Sequence, residues 1–200
     1  MTTTIDYYMT PGSPWTYLGH QRLREIARAA GATINVRPVD FGRIFAASGG
    51  LPLKQRAPQR QAYRLMELAR WRKRLDVPLT IQPKFFPVSG DPGARLIIAA
   101  DIVKGTEAAL DVAHAIMRGC WAEERDIADA ATLDAIVTSC GLAPAQLRDE
   151  KVAAEAQARY DRYTEEAIAR NVFGAPTYAI GDELFWGQDR LDFVSDAVKR

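Results

Sequence analysis

From Tyr8 to Gly19 the chain reads Tyr-Met-Thr-Pro-Gly-Ser-Pro-Trp-Thr-Tyr-Leu-Gly, an apolar strand stopped at Pro11-Gly12 and a helix started at Ser13-Pro14. Pro14 suits a first helical turn, where its missing donor is not needed. Ser13 is thereby placed at a helix N-terminus, where free backbone N–H groups and the positive end of the helix dipole favour a carboxylate, a phosphate or a thiolate. A serine in front of a helix is also an ordinary cap. The tetrad alone leaves both readings open.

The surrounding pattern predicts a short strand over residues 4 to 8 and a helix over 14 to 30 ending at Gly31, with Leu18, Leu23, Ile26 and Ala27 on its apolar face. Alternation over residues 32 to 39 predicts a second strand, which Pro38 limits to an edge or an end. Strand, helix and strand in this order form a βαβ unit with parallel strands. Residues 42 to 56, with Ser48-Gly49-Gly50 and Pro52, read as irregular loop. Helices follow: one through Leu65, Leu68, Ala69, Trp71 and Leu75, then, after a proline-rich link from Pro78 to Pro92, others near 92–104, 106–121, 129–140 and 144–170. The chain returns to strands at 177–180 and 183–186 around Gly181-Asp182, and a closing helix is expected over 188–199. The expected division is a split α/β domain, residues 1–42 and 171–200, interrupted by an all-helical insertion at 43–170, with a ligand cleft between the two.

Two further segments carry chemical signals. In Val172-Phe173-Gly174-Ala175-Pro176-Thr177 a proline stands directly before a strand, where a cis Ala175-Pro176 bond, with the Ala175 backbone turned outward, is favoured well above its base rate; the alternative is a loop proline that ends the preceding helix. In Phe185-Trp186-Gly187-Gln188-Asp189-Arg190-Leu191, Gln188 and Asp189 open the last helix. Its donors suit a carboxylate and Asp189 suits an ammonium group. An acidic residue in a first turn needs no ligand to explain it.

Charge and cysteine usage restrict the alternatives. A net charge of +1 gives nucleic acid or an anionic membrane no global attraction. Cys120 and Cys140 lie far apart inside apolar helical patterns, so buried free thiols are expected rather than a redox pair or a metal site. No basic, apolar leader is evident at the N-terminus and no run is long enough to span a bilayer, so a reducing cytoplasm rich in small thiols is expected.

Ser13-Pro14-Trp15-Thr16 resembles a thioredoxin-type Cys-x-x-Cys with both sulfurs replaced by hydroxyls. Together with the Phe-Gly-Ala-Pro-Thr turn and the Trp-Gly-Gln-Asp-Arg-Leu segment, placed around a helical insertion, it makes the chain similar to the 2-hydroxychromene-2-carboxylate isomerases and the related kappa-class glutathione transferases of the DsbA-like thioredoxin superfamily. The resemblance implies a thioredoxin-like fold with an all-helical inserted domain, glutathione as cofactor, an aromatic carboxylate substrate and a homodimer. It places Ser13 against the glutathione sulfur, gives Ala175 and Pro176 the backbone contacts to the cysteinyl unit, and gives Gln188 with Asp189 the γ-glutamyl end. The family's Thr-Gly-Asn-x-Pro loop is Ser48-Gly49-Gly50-Leu51-Pro52 here, so Gly50 replaces an asparagine that contacts ligand, and a family lysine is matched by Arg60.

The implied chemistry is addition of a thiolate to a conjugated C=C bond, rotation, and elimination. Ser13 would stabilise the sulfur anion and not attack, since the chain has only His20 and His114 and neither lies near it in sequence. His20, two turns further along the same helix, reads as a surface or core residue. Trp15, Tyr17, Phe85 and Phe86 are candidates to wall the aromatic substrate, and Arg43, Lys54, Arg56 or Lys84 to pair with its carboxylate. Rival readings are a kappa-like transferase or peroxidase and a non-catalytic scaffold that binds peptide along the Pro176 edge.

Overall fold

The computed structural model describes residues 2–200; the first residue of the expected split domain, Met1, lies outside them. Strand β1 (Thr4–Met9) leads into helix α1 (Pro14–Ala30) and strand β2 (Thr33–Pro38). The helical block is α2 (Phe41–Ser48), α3 (Pro58–Leu75), α4 (Asp91–Lys104), α5 (Thr106–Trp121), α6 (Ala130–Ser139), α7 (Pro144–Leu147) and α8 (Glu150–Ala169). Strands β3 (Thr177–Ile180) and β4 (Glu183–Trp186) and helix α9 (Leu191–Ala197) close the chain. The sheet order is β2-β1-β3-β4, with β1 parallel to β2 and the other pairs antiparallel. Pro38 ends β2, and β2 is an edge strand, where a missing donor is tolerated.

Both faces of the sheet are covered, and β1 shows why. Ile5, Tyr7 and Met9 point into the main core with Leu23 of α1, Ile97 of α4 and Ile116 of α5, whereas Tyr8 points the other way, onto Val39, Ile44 and Ala167. This is the period-two alternation of a strand buried on both sides. One acidic residue ties three elements together. Asp6 Oδ1 accepts from Arg37 Nε at 2.9 Å and Asn35 Nδ2 at 3.0 Å, and Oδ2 accepts from Arg170 Nη1 at 2.8 Å.

Three local expectations change. Residues 42 to 56 are not simply loop, because Asp40 caps α2, accepting from Gly42 N at 2.7 Å and Arg43 N at 3.2 Å. Gly49 (φ 75°) is the stop of that helix, a left-handed cap position that glycine adopts at little cost. The 144–170 helix is two: α7 ends at Leu147, and Asp149 begins α8 by accepting from Lys151 N and Val152 N. The closing helix is shorter than expected, with a 3₁₀ turn at Gln188–Arg190 before α9.

Candidate active site at the start of α1

Ser13 has extended backbone angles, and its Oγ accepts from Thr16 N at 3.3 Å, so it is the N-cap of α1. The same hydroxyl donates to Ala175 O at 3.4 Å. Both contacts are long for hydrogen bonds of their type, so the hydroxyl is only weakly held where it is. The first turn of α1 carries no acidic side chain of its own to offset the positive end of its dipole.

The Ala175-Pro176 bond is cis, and the Ala175 backbone faces Ser13 as the sequence implies. Close backbone approaches bring the third segment to the same place. A Cβ on Gly19 would lie 2.8 Å from both Gln188 Cβ and the Tyr178 hydroxyl, so only glycine lets α1 settle against the Gln188 turn. Gly174 lies under the Trp186 indole, which also meets Phe173 edge-on with centroids 4.8 Å apart.

These pieces bound a cavity of about 580 Å³, within the size range of small-molecule sites. Ser13, Trp15, Arg60, Ala175, Gln188 and Asp189 all line it, although they come from both ends of the chain. Pro176 lies behind the wall, its carbonyl accepting from Gly187 N at 2.9 Å. Tyr17 does not line it. Two residues along a helix turn a side chain by roughly 200°, so Tyr17 faces away from Trp15, donates to Pro78 O at 3.0 Å and borders a separate cavity of about 420 Å³. Phe85 does not line the cavity and is half-buried beneath Lys84 Nζ, 5.0 Å from its ring centroid, while Phe86 lines it.

Of the proposed cations, Arg56 lines the cavity, whereas Arg43 is drawn to Asp161 and Glu165 of α8 at 3.3 and 3.4 Å. Lys54 and Lys84 are not on the wall. Residues not singled out from the sequence complete it: Phe45, Tyr63, Arg64, Glu67 and Phe173, together with Trp71, which the apolar spacing assigns to the core. Arg60, Arg64, Glu67 and Trp71 recur at i, i+4, i+7 and i+11 and share one face of α3. The i, i+4 arginine spacing, continued back to Arg56, was the available signal. Four arginines (56, 60, 64, 190) and two carboxylates (Glu67, Asp189) line the cavity, which makes it cationic.

Gly50 lies off this wall, and a Cβ there would meet the Phe45 ring at 2.5 Å, so the space an asparagine side chain needs is filled by Phe45. Neither cysteine lines the cavity. Cys120 is buried in α5, its thiol pushed up to about 12 by burial, and Cys140 is only half-buried at the end of α6, not fully buried as the pattern suggests. His20 is a core residue: Tyr7 Oη and Leu110 O lie 3.3 and 3.0 Å from its ring nitrogens, and burial first, then His114, lowers its pKa to about 3. Among the described residues there is no cluster of three or more His, Cys, Asp or Glu suited to a metal, and no helix is long and apolar enough to cross a membrane.

The fold and the cap-and-cis-proline site define a thioredoxin-type protein, and the family model of the DSBA-like thioredoxin domain matches residues 4–199. A 2-hydroxychromene-2-carboxylate isomerase of Pseudomonas putida is 32% identical over 98% of this chain and 94% of its own length. A solved structure of a 2-hydroxychromene-2-carboxylate isomerase superposes with a TM-score of 0.77 at 28% identity, covering 97% of this chain and 93% of that one. More distant is glutathione S-transferase kappa 1 of Caenorhabditis elegans, 22% identical over 98% of this chain and 91% of its own length. The chain belongs to the 2-hydroxychromene-2-carboxylate isomerase family of DsbA-like thioredoxin proteins.

Proposed function

We propose that the protein is a glutathione-dependent isomerase of an aromatic carboxylate of the 2-hydroxychromene-2-carboxylate type, formed in aromatic-ring catabolism. One observation carries this reading: a weakly held hydroxyl at a helix N-terminus whose first turn has no acidic residue opens into a cationic, aromatic-lined cavity that contains no thiol of the chain's own. The residues present fit glutathione. The Ala175 backbone reaches the wall beside Ser13, Asp189 suits an ammonium group, and Arg60 suits a carboxylate. The name of the C. elegans relative supports the same cofactor. Gly50 supplies no side chain, and Phe45 takes its place against the ligand.

With the hemiketal ring opened, its C–O bond broken to leave a phenol and an α-keto acid, bound glutathione would supply a thiolate that adds to the C=C bond conjugated with the ketone, allows rotation about the resulting single bond, and is expelled again. The protein's part is to keep that sulfur ionised. The α1 dipole and backbone donors lower a thiol's pKa, and Ser13 Oγ, rotating off its long bond to Ala175 O, donates to the anion. Trp15, Phe86 and Trp71 pack the substrate's ring and exclude water from it. The test is isomerisation of 2-hydroxychromene-2-carboxylate with and without glutathione, with total free thiol followed in parallel. The expected result is a glutathione-dependent rate at constant thiol. Thiol consumption would favour a kappa-like transferase, and a rate indifferent to glutathione would remove the proposal. A homodimer belongs to the same proposal and is checked by sedimentation.

A further inference from the structure

The arginines of this protein divide by how their charge is met. Arg24 of α1 holds Asp111 at 2.7 Å and Glu107 at 2.9 Å, and Arg37 of β2 holds Asp6 at 2.9 Å and also Glu166. Arg64, in the middle of α3, has no such partner. It makes no hydrogen bond or ion pair to any described residue, and its Nη2 is sealed from solvent with no acceptor in reach. Aromatic rings flank it instead: its guanidinium carbon stands 5.3 Å from the Phe86 centroid and 5.8 Å from that of Trp121. Ring contacts attract the positive charge but take up none of the in-plane N–H donors.

A half-buried charge without a partner carries a desolvation cost, and the surroundings add to it. Burial and the neighbouring Arg56 lower the Arg64 pKa to about 10, which still leaves it charged at neutral pH. Neither carboxylate on the same wall pairs with Arg64: Glu67 stands 2.5 Å from Arg70 and Asp189 3.6 Å from Arg190. A cation sheathed by rings, with donors left unpaired, is matched by a ligand that is itself a ring bearing a carboxylate.

We propose that Arg64 is the carboxylate anchor of the second substrate, so that the cavity selects conjugated aromatic acids over their neutral analogues. The ring then packs among Trp15, Trp71 and Phe86 while the carboxylate accepts one charge-assisted bond from the guanidinium where Arg64 lines the cavity. This deepens the isomerase reading above and rests on it for the identity of the site.

The probes are trans-cinnamate and its neutral isostere cinnamamide, titrated calorimetrically into the full chain saturated with glutathione. The native protein is expected to bind the acid at least about tenfold more tightly than the amide, and Arg64→Met to lose that preference, a change of about ten- to a hundredfold for one charge-assisted bond. Glutathione affinity should stay within about twofold in the variant, since Arg64 contacts only the second substrate. Arg64→Gln makes the same comparison should Met at that site prevent folding. Equal binding of acid and amide by the native protein, or a preference retained in either variant, would overturn the assignment. Isomerisation indifferent to glutathione would sink the earlier reading and leave the cinnamate comparison intact.

Discussion

Ser13→Ala separates a cap from an anion-stabilising group. As a cap, Ser13 makes one bond of 3.3 Å and one of 3.4 Å, both at the weak end, so removing it costs about 0.5–1 kcal/mol of stability. For a chain of this size that lowers Tm by about 1–4 °C. As a donor to a sulfur anion the same hydroxyl makes a charge-assisted bond worth about 1.5–3 kcal/mol. Its loss therefore slows turnover roughly 10- to 150-fold at neutral pH. The sign with pH follows. The lost bond had favoured the ionised thiol, so the variant's thiol ionises later and the alkaline rise of kcat/KM moves up by about one to two pH units. The deficit should consequently narrow as pH is raised. The assay is a pH profile of glutathione-saturated isomerisation for native and variant chains, with thermal unfolding of both. A fall smaller than about threefold, below the weakest such bond, or a deficit independent of pH, would refute the anion role and leave Ser13 as a cap.

Other outcomes follow from the same geometry. Gly19→Ala puts a methyl 2.8 Å from Gln188 Cβ and the Tyr178 hydroxyl, a clash expected to cost about 1–3 kcal/mol; urea unfolding should record the loss and calorimetry a weaker affinity for glutathione, because the Gln188 turn is displaced. His20 is buried neutral with its pKa lowered to about 3. The unfolded chain therefore takes up a proton below about pH 6.5 that the folded one refuses, and stability is present above that pH and lost as pH falls toward 3. Between pH 7 and pH 5 the loss from this residue is about 2 kcal/mol, and the urea midpoint of His20→Gln should fall less over that range than that of the native chain. Asp40→Ala removes the cap of α2 and should cost about 1 kcal/mol, with faster amide exchange through Phe41–Ser48 as the signature.

Much of the fold could be read along the chain because its signals are local. The short strand at residues 4–8, the alternation in 32–39, the Pro14 start and Gly31 stop of α1, and the Gly181-Asp182 hairpin each depend on neighbours within one element. The misreadings also have local causes. Gly42 and the Ser48-Gly49-Gly50 run looked like loop because glycine in a first turn and glycine as a stop read alike, and only the Asp40 cap decides between them. Arg148-Asp149 broke an otherwise continuous helical pattern because an aspartate can restart a helix as its cap.

The site divides along the same line. That Ser13 heads a helix, that Pro176 stands directly before a strand and that Asp189 opens the last helical turn are consequences of residue types in order, and the sequence is enough to single them out. Which side chains share their cavity was decided only in three dimensions. The 200° between Trp15 and Tyr17, the place of Phe86 but not Phe85 on the wall, and the capture of Arg43 by Asp161 and Glu165 all depend on what packs against each face. Arg64 shows the reason most plainly. An arginine's chemistry is set by whether a carboxylate stands within reach, and that is a property of the packed neighbours, Phe86 and Trp121, and not of the chain on either side of it.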